Sequence, residues 1–275
     1  TVKPNIISSF LSRFYNYKNI SNITGLGTLF LRGRIVEWIS ILIYRISFSK
    51  IYYVLFHNYY DRNSFIKNNI ISKEISCTIP GSGVDLNFFH YSKKNYENLI
   101  HFNFLYMGRI IKDKGIIELL DAIKMLRDLN FKAKFTFIGK LDPNNKYLIK
   151  KFNNFIFKGL IYYYGNVDTV RDFIIKSDCV ILPSYREGMS KSLLEASAIG
   201  RPMLASNVPG CNDIISDGFN GFLFEPMSSK SLYNAIIKFI ETPAFLKNKM
   251  SRNSYKNSLK FDEKYIIDKY NNLII

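Results

Sequence analysis

The sequence predicts an α/β protein made of parallel strands and crossover helices, arranged as two domains joined by a polar stretch at Tyr91–Asn98. Three observations carry this. Beyond residue 100, apolar β-rich runs alternate with segments of helical period, the pattern of a parallel sheet covered by helices. Before residue 90 the same alternation occurs but is incomplete. The 275 residues and 47% hydrophobic content suffice for two packed cores or one large one.

Taken in order, a strand is expected near Asn19–Ile23, a helix over Leu31–Ile46, and strands at Tyr52–Phe56 and Cys77–Ile79. In the second part, Phe102–Tyr106, Phe135–Ile138, Val180–Leu182 and Pro202–Ala205 read as strands. Ile116–Leu126, Thr169–Ile175, Ser190–Ile199 and Leu232–Ile240 read as helices. Pro209-Gly210 and Asn220-Gly221 mark turns. In Asp262–Ile275, the residues Tyr265, Ile266, Ile267, Tyr270, Leu273 and Ile274 fall on one helical face.

The net charge of +16 implies attraction to anions, whether nucleic acid, an acidic bilayer or phosphorylated substrates. Residues 1–90 carry ten Lys or Arg against four Asp or Glu, and the rest 28 against 18, so the charge is spread rather than gathered into one footprint. No zinc-finger spacing or RNP-like aromatic motif supports nucleic-acid binding. Cys77, Cys179 and Cys211 are few and far apart, which suits a reducing compartment and argues against a disulfide framework. The apolar run Ile35–Arg45 contains Glu37 and is too short to span about 30 Å of hydrocarbon. With Arg32, Arg34, Arg45 and Lys50 around Trp38, Ile39, Leu42 and Ile43, it reads either as a helix lying on an anionic membrane or as one packed on a sheet.

The chemistry is expected between Asp178 and Ala196. An apolar run ending in Pro183-Ser184 places the following loop at the carboxyl edge of a sheet, where open α/β folds bind ligands. Glu187 then points into the crevice. Glu195 lies about two helical turns further on if a helix begins near Met189. The N–H groups of Gly188, Met189 and Ser190 would form an anion site between them, unless Ser190 serves only as the helix N-cap.

This stretch, continuing through Glu195–Ser206, Val208–Cys211 and Asp217–Leu223, resembles the family 4 glycosyltransferases of the GT-B fold. So does Phe104–Gly115. Lys3–Ile6, Ile23–Gly27 and Ile79–Asp85 are similar to bacterial members that extend glycans on polyprenyl-diphosphate carriers. The resemblance implies two Rossmann-like domains with a cleft between them. They are an incomplete N-terminal, acceptor-side domain over residues 1–90 and a nucleotide-sugar domain over 91–258. Residues 259–275 form a last helix that returns to the first domain. It also implies a chain that lacks the family's first Gly-rich loop and cleft histidine, and that is inactive by itself. His57, His90 and His101 fall outside that histidine motif.

By the same resemblance, Arg109 and Lys114 bind the donor diphosphate and Glu187 the donor sugar, these three forming the catalytic set. Glu195 takes the ribose hydroxyls. Gly108, Gly139, Val167, Gly188, Met189, Ser190 and Leu194 complete the donor site, and Gly25, Gly27, Gly81, Ser82 and Gly83 lie toward the acceptor. The chain contains no Asp-x-Asp motif, so fixed cations and a helix N-terminus are expected to stabilise the leaving diphosphate without a metal or other cofactor. The implied reaction is retaining transfer from a UDP-sugar to a lipid-linked saccharide. It would take place on the anionic inner face of the cytoplasmic membrane, with no nucleic-acid partner. Three alternatives stay open: an inactive fragment of the fold, a sugar-nucleotide epimerase, and a basic nucleic-acid-binding protein.

Overall fold

The computed structural model describes residues 2–15, 17–26, 33–97, 99–127 and 133–274, so Gly27, Leu31, Arg32 and Asn98 lie outside the described residues. Two parallel sheets organise the chain. The smaller has the order β1-β2-β3, from β1 (Ile20–Ile23), β2 (Tyr53–Phe56) and β3 (Ser76–Thr78). The larger contains β4 (Phe102–Met107), β5 (Ala133–Ile138), β6 (Tyr162–Tyr163), β7 (Cys179–Leu182), β8 (Met203–Ser206) and β9 (Gly221–Phe224). Its order is β6-β5-β4-β7-β8-β9. The strand order therefore reverses between β4 and β7, paired through Phe104 with Cys179 and Leu105 with Val180. The crevice outside the carboxyl ends at such a reversal is where open α/β sheets hold ligands.

Helices α1 (Val2–Leu11), α2 (Arg34–Phe48) and α3 (Tyr59–Lys67) accompany the small sheet. The large sheet carries α4 (Ile116–Arg127), α5 (Lys146–Phe157), α6 (Arg171–Lys176), α7 (Lys191–Ile199), α8 (Ser229–Glu241) and α9 (Ala244–Ser258). Every residue of β7 and β8 is buried, as expected of central strands covered on both faces. Phe104 stacks on Phe135 at 5.1 Å between centroids, and Phe239 of α8 meets Phe104 edge-on at 6.0 Å. On the small sheet, Phe65 of α3 packs against Tyr44 of α2 at 4.8 Å and Phe56 of β2 at 5.1 Å. The final helix α10 (Glu263–Ile274) crosses back to this sheet, where Ile266 joins Leu55 and Ile79. There Asn22 Nδ2 also donates to the Tyr270 hydroxyl at 2.8 Å.

Several segments differ from the sequence reading. The stretch before β4 is not a free tether: Tyr96 is buried and donates its hydroxyl to the Asp178 carbonyl at 2.8 Å. The buried Arg201 ties the same stretch down by donating to Ser92 O at 2.7 Å and to Ile175 O at 2.8 Å. Helix α2 starts only after Gly33. Gly221, expected in a turn, opens β9 instead, and the turn lies at Gly218–Asn220 just before it. Helices α1, α3 and α9 were not legible, because their Asn, Ser and Lys content blurs the apolar stripe, whereas α5 was missed although Leu148, Phe152 and Phe155 repeat at helical spacing.

Candidate active site

The loop from Pro183 to Ser190 leaves the carboxyl end of β7 and carries Glu187 into a cleft between the two sheets. Gly115, in the left-handed region at φ 68°, lets the turn before α4 lie against this loop. A Cβ there would fall 2.0 Å from the Pro183 carbonyl oxygen. That approach brings Lys114 to Glu187, and Lys114 Nζ donates to Glu187 Oε1. The pair is partly covered, with side-chain exposures of 21% and 12%. Thr24, Gly25, Arg109, Lys114, Glu187 and Gly188 line a cleft of about 380 Å³. Arg109 itself is exposed at its rim. A larger groove of about 1040 Å³ between α4 and α5, lined by Lys124, Arg127, Lys150 and Lys151, contains none of the residues expected to act.

At Gly188 the loop after β7 lies against the turn after β1. Any side chain there would meet the Thr24 carbonyl oxygen at 1.6 Å, so only glycine admits the Thr24-Gly25 backbone. A Cβ at Gly210 would fall 2.6 Å from the Gly188 carbonyl oxygen, and Gly81 lies against the Met189 side chain. Gly83 lies against Glu263 at the start of α10, away from Glu187, and Ser82 is exposed. Gly27 is outside the described residues.

The start of α7 corrects the sequence reading. Ser190 is its N-cap, accepting the Leu193 N–H at 3.4 Å, and the helix begins at Lys191. Glu195 is therefore about one turn into the helix rather than two. The Ser190 N–H is directed at the Gly210 carbonyl at 3.4 Å, so it is not a free anion donor. Leu194 is buried in the core of the large sheet. Glu195 is 9% exposed, and burial raises its pKa to about 7 against the partial opposition of Lys191. At the ends of β4 and β5, Gly108 and Gly139 lie back to back. The Gly139 N–H donates to Gly165 O at 2.7 Å, with Val167 half-buried two residues on.

His57 follows β2 and is 7% exposed, with Nε2 buried and unpartnered among the described residues. Burial lowers its pKa to about 4, so it is neutral at physiological pH. Sequence reasoning gave no role to Asn58, Asp61 or Arg186. The signal was present as Asn58 three residues before Asp61, a capping pattern at a helix start. Their partners lie more than a hundred residues away and could not be read from it.

What the cleft offers is the cations Arg109, Lys114 and Arg186 with the carboxylates Asp113 and Glu187 at the end of a parallel sheet, and the buried carboxyl of Glu195 on the adjoining helix. Among the described residues no group of three His, Cys, Asp or Glu is placed to hold a metal. No helix among them is long and apolar enough to cross a membrane.

Comparison with known proteins agrees with the architecture. An enzyme of Campylobacter jejuni, N,N'-diacetylbacillosaminyl-diphospho-undecaprenol alpha-1,3-N-acetylgalactosaminyltransferase, is 26% identical over 90% of this chain and 68% of its own length. The capsular polysaccharide glycosyltransferase CapM of Staphylococcus aureus is 28% identical over 65% of this chain and 50% of its own. The chain thus spans about half to two thirds of these relatives. HepE of Anabaena, solved with UDP, superposes with a TM-score of 0.83 at 19% identity over 100% of this chain and 76% of its own. Sucrose-phosphate synthase of Thermosynechococcus elongatus superposes at 0.80 and 17% identity over 98% of this chain and 71% of its own. These two show the fold. The model of the family "Glycosyl transferases group 1" matches residues 74–257, well over half of the chain, and the chain belongs to that family.

Proposed function

We propose that this chain holds the donor site and part of the acceptor side of a retaining glycosyltransferase, moving a sugar from a UDP-sugar to a lipid-linked saccharide without a metal. The observation that carries the reading is the meeting of Arg109, Lys114 and Glu187 in one cleft, with Gly25 facing them from the small sheet. Cleavage of the donor's anomeric C–O bond leaves negative charge on the diphosphate. Lys114 supplies a point charge to it and Arg109 a planar fork. In the chain alone Lys114 is paired with Glu187. A diphosphate competes for that ammonium and leaves the Glu187 carboxylate to accept hydroxyls of the transferred sugar. Glu195, with its pKa near 7, becomes fully ionised when ribose hydroxyls donate to it, because hydrogen bonds to the charged form favour it.

The acceptor class is supported by the Campylobacter relative and by an Escherichia coli relative named UDP-Gal:alpha-D-GlcNAc-diphosphoundecaprenol alpha-1,3-galactosyltransferase, 27% identical over 63% of this chain. In this reading residues 1–90 form the acceptor-side domain, 91–258 the nucleotide-sugar domain, and 259–275 the returning helix. A place on the cytoplasmic membrane face is supported by α2. It packs inward through Tyr44 and Phe48 yet leaves Ile35, Trp38, Ile39, Leu42 and Ile43 exposed. The two readings of this segment are therefore compatible, one for each face of the helix.

Calorimetry of the full chain with UDP-sugars in EDTA tests the proposal, with binding expected. Binding that requires Mg²⁺ or Mn²⁺ overturns the metal-free part, and no binding under either condition overturns the donor site.

A further inference from the structure

The two residues flanking Glu187 are held by the same turn of α3. On one side, Arg186 Nη2 donates to Asp61 Oδ1 at 2.6 Å. On the other, the Gly188 carbonyl accepts from Asn58 Nδ2 at 2.8 Å. The holders are tied to each other: Asn58 Nδ2 also donates to Asp61 Oδ2 at 3.1 Å, and Asn58 Oδ1 accepts the Asp61 N–H at 2.8 Å as the cap of α3. Asp61 is 0% exposed and Asn58 1%, so this is an interior network rather than a surface ion pair. The Arg186 guanidinium also lies over the Tyr60 ring, 5.8 Å from its centroid.

The tripeptide Arg186-Glu187-Gly188 is therefore gripped at both ends by the small-sheet side of the molecule, and its middle residue is the carboxylate that meets Lys114. Asn58 lies two residues beyond the end of β2, and the Thr24-Gly25 backbone after β1 fills the space beside Gly188. Glu195 is anchored differently, inside α7 beyond the Ser190 cap.

We propose that Asn58 and Asp61 are positioning residues that fix the Glu187 loop, so the geometry presented to the donor sugar depends on the docking of the small sheet against the large one. The ligand in this statement rests on the donor reading above, whereas the clamp itself does not. If it holds, substitutions on the acceptor side loosen the sugar end of the donor site and spare the nucleotide end. Collapse of the fold would weaken both ends alike.

The test uses the full chain and two mild variants. Asn58→Ser keeps a hydroxyl cap for α3 but is too short to reach Gly188, and Asp61→Asn removes the charge from the α3 side without altering Arg186, which itself lines the cleft. Amide hydrogen exchange over residues 184–190 should accelerate about tenfold in each, the scale of one lost hydrogen bond, with exchange in α7 unchanged. Affinity for a UDP-sugar should fall by about tenfold while affinity for UDP stays within about twofold. Unchanged loop exchange, or acceleration spread evenly over the large sheet, overturns the clamp. Equal losses for UDP and UDP-sugar overturn it as well. Should the unaltered chain bind no UDP-sugar, the donor reading falls and the exchange measurement alone decides the clamp.

Discussion

The two sheets are covered to different degrees. Around the six-stranded sheet one core runs continuously from Val84 to Phe261 and takes in side chains from β4, β5, β7, β8 and β9. Around the three-stranded sheet the core divides. Ile23, Tyr44, Phe56 and Phe65 pack together on one side, while Leu55 and Ile79 depend on Ile266 of the distant α10 for the other. Among the described residues, more than half of the exposed large apolar side chains lie before residue 61, chiefly on α1 and α2. The large sheet is thus a self-sufficient unit, and the small one is completed by its neighbours. Lys114 and Glu187 both belong to the large sheet, and the small one acts on them through its contacts with Arg186 and Gly188.

That contrast can be broken most sharply at the seam. Gly188→Ala would place a methyl group 1.6 Å from Thr24 O, so the sheets must separate locally. A loss of roughly 3 kcal/mol or more in denaturant stability is expected, against about 1 kcal/mol for Gly159→Ala, a left-handed position with open space around it. Equal losses would show that the contact at Gly188 is not tight.

The pH dependence sharpens it next, because each side of the molecule buries a titrating group of opposite sign. His57 has its pKa lowered by burial from 6.5 to about 4, so the unfolded chain takes up the proton first. Its contribution is complete above pH 6.5 and is lost as pH falls toward 4. Glu195 has its pKa raised by burial from 4.5 to about 7, so its contribution is complete below 4.5 and is lost as pH rises through 7. Each amounts to at most about 3 kcal/mol. The two windows overlap with opposite sign between about pH 4.5 and 6.5 and offset each other there, so urea midpoints should fall with rising pH in His57→Gln and rise with pH in Glu195→Gln. A variant that keeps the slope of the parent places the titrating group elsewhere.

Within the large sheet, the two glutamates should separate by ligand. Glu187→Ala is expected to weaken UDP-sugar binding by roughly 1–3 kcal/mol with UDP little changed, and Glu195→Ala to weaken both by a similar amount. Identical profiles in calorimetry would remove the division of labour between them. The smallest effect on stability is expected on α2. Trp38→Ala, at a site 65% exposed, should shift folding by no more than about 0.5 kcal/mol yet reduce binding to vesicles containing anionic phospholipid. Undiminished vesicle binding would mean that this apolar face serves something other than a bilayer.

Much of the large sheet was legible because its strands are buried on both faces and read as unbroken apolar runs, as in Cys179–Leu182 and Met203–Ser206. Strand β6 has only two residues, too few for any periodicity to show. Helix α9 buries Lys247, Ser251, Ser254 and Ser258, and all but Ser251 donate to a carbonyl among the described residues. Lys247 Nζ donates to Ile240 O at 2.7 Å and Ser254 to Arg201 O at 2.8 Å. The composition of α9 therefore pointed away from a packed helix.

By itself the sequence determined the parallel α/β class, the loop after β7 as the place to look, and the residue types that could face an anionic donor. Local order is enough for these, since periodicity, turn residues and the spacing from Glu187 to Glu195 are written along the chain. Only the tertiary structure decided that Lys114 reaches Glu187, that Thr24-Gly25 closes on Gly188, and that Asn58 and Asp61 hold the residues on either side of Glu187. Those pairs are 73, 130 and 125 residues apart for Lys114–Glu187, Asn58–Gly188 and Asp61–Arg186. Contacts at such separation depend on how two sheets dock, and docking is set by the shape of both surfaces together rather than by either segment's own sequence.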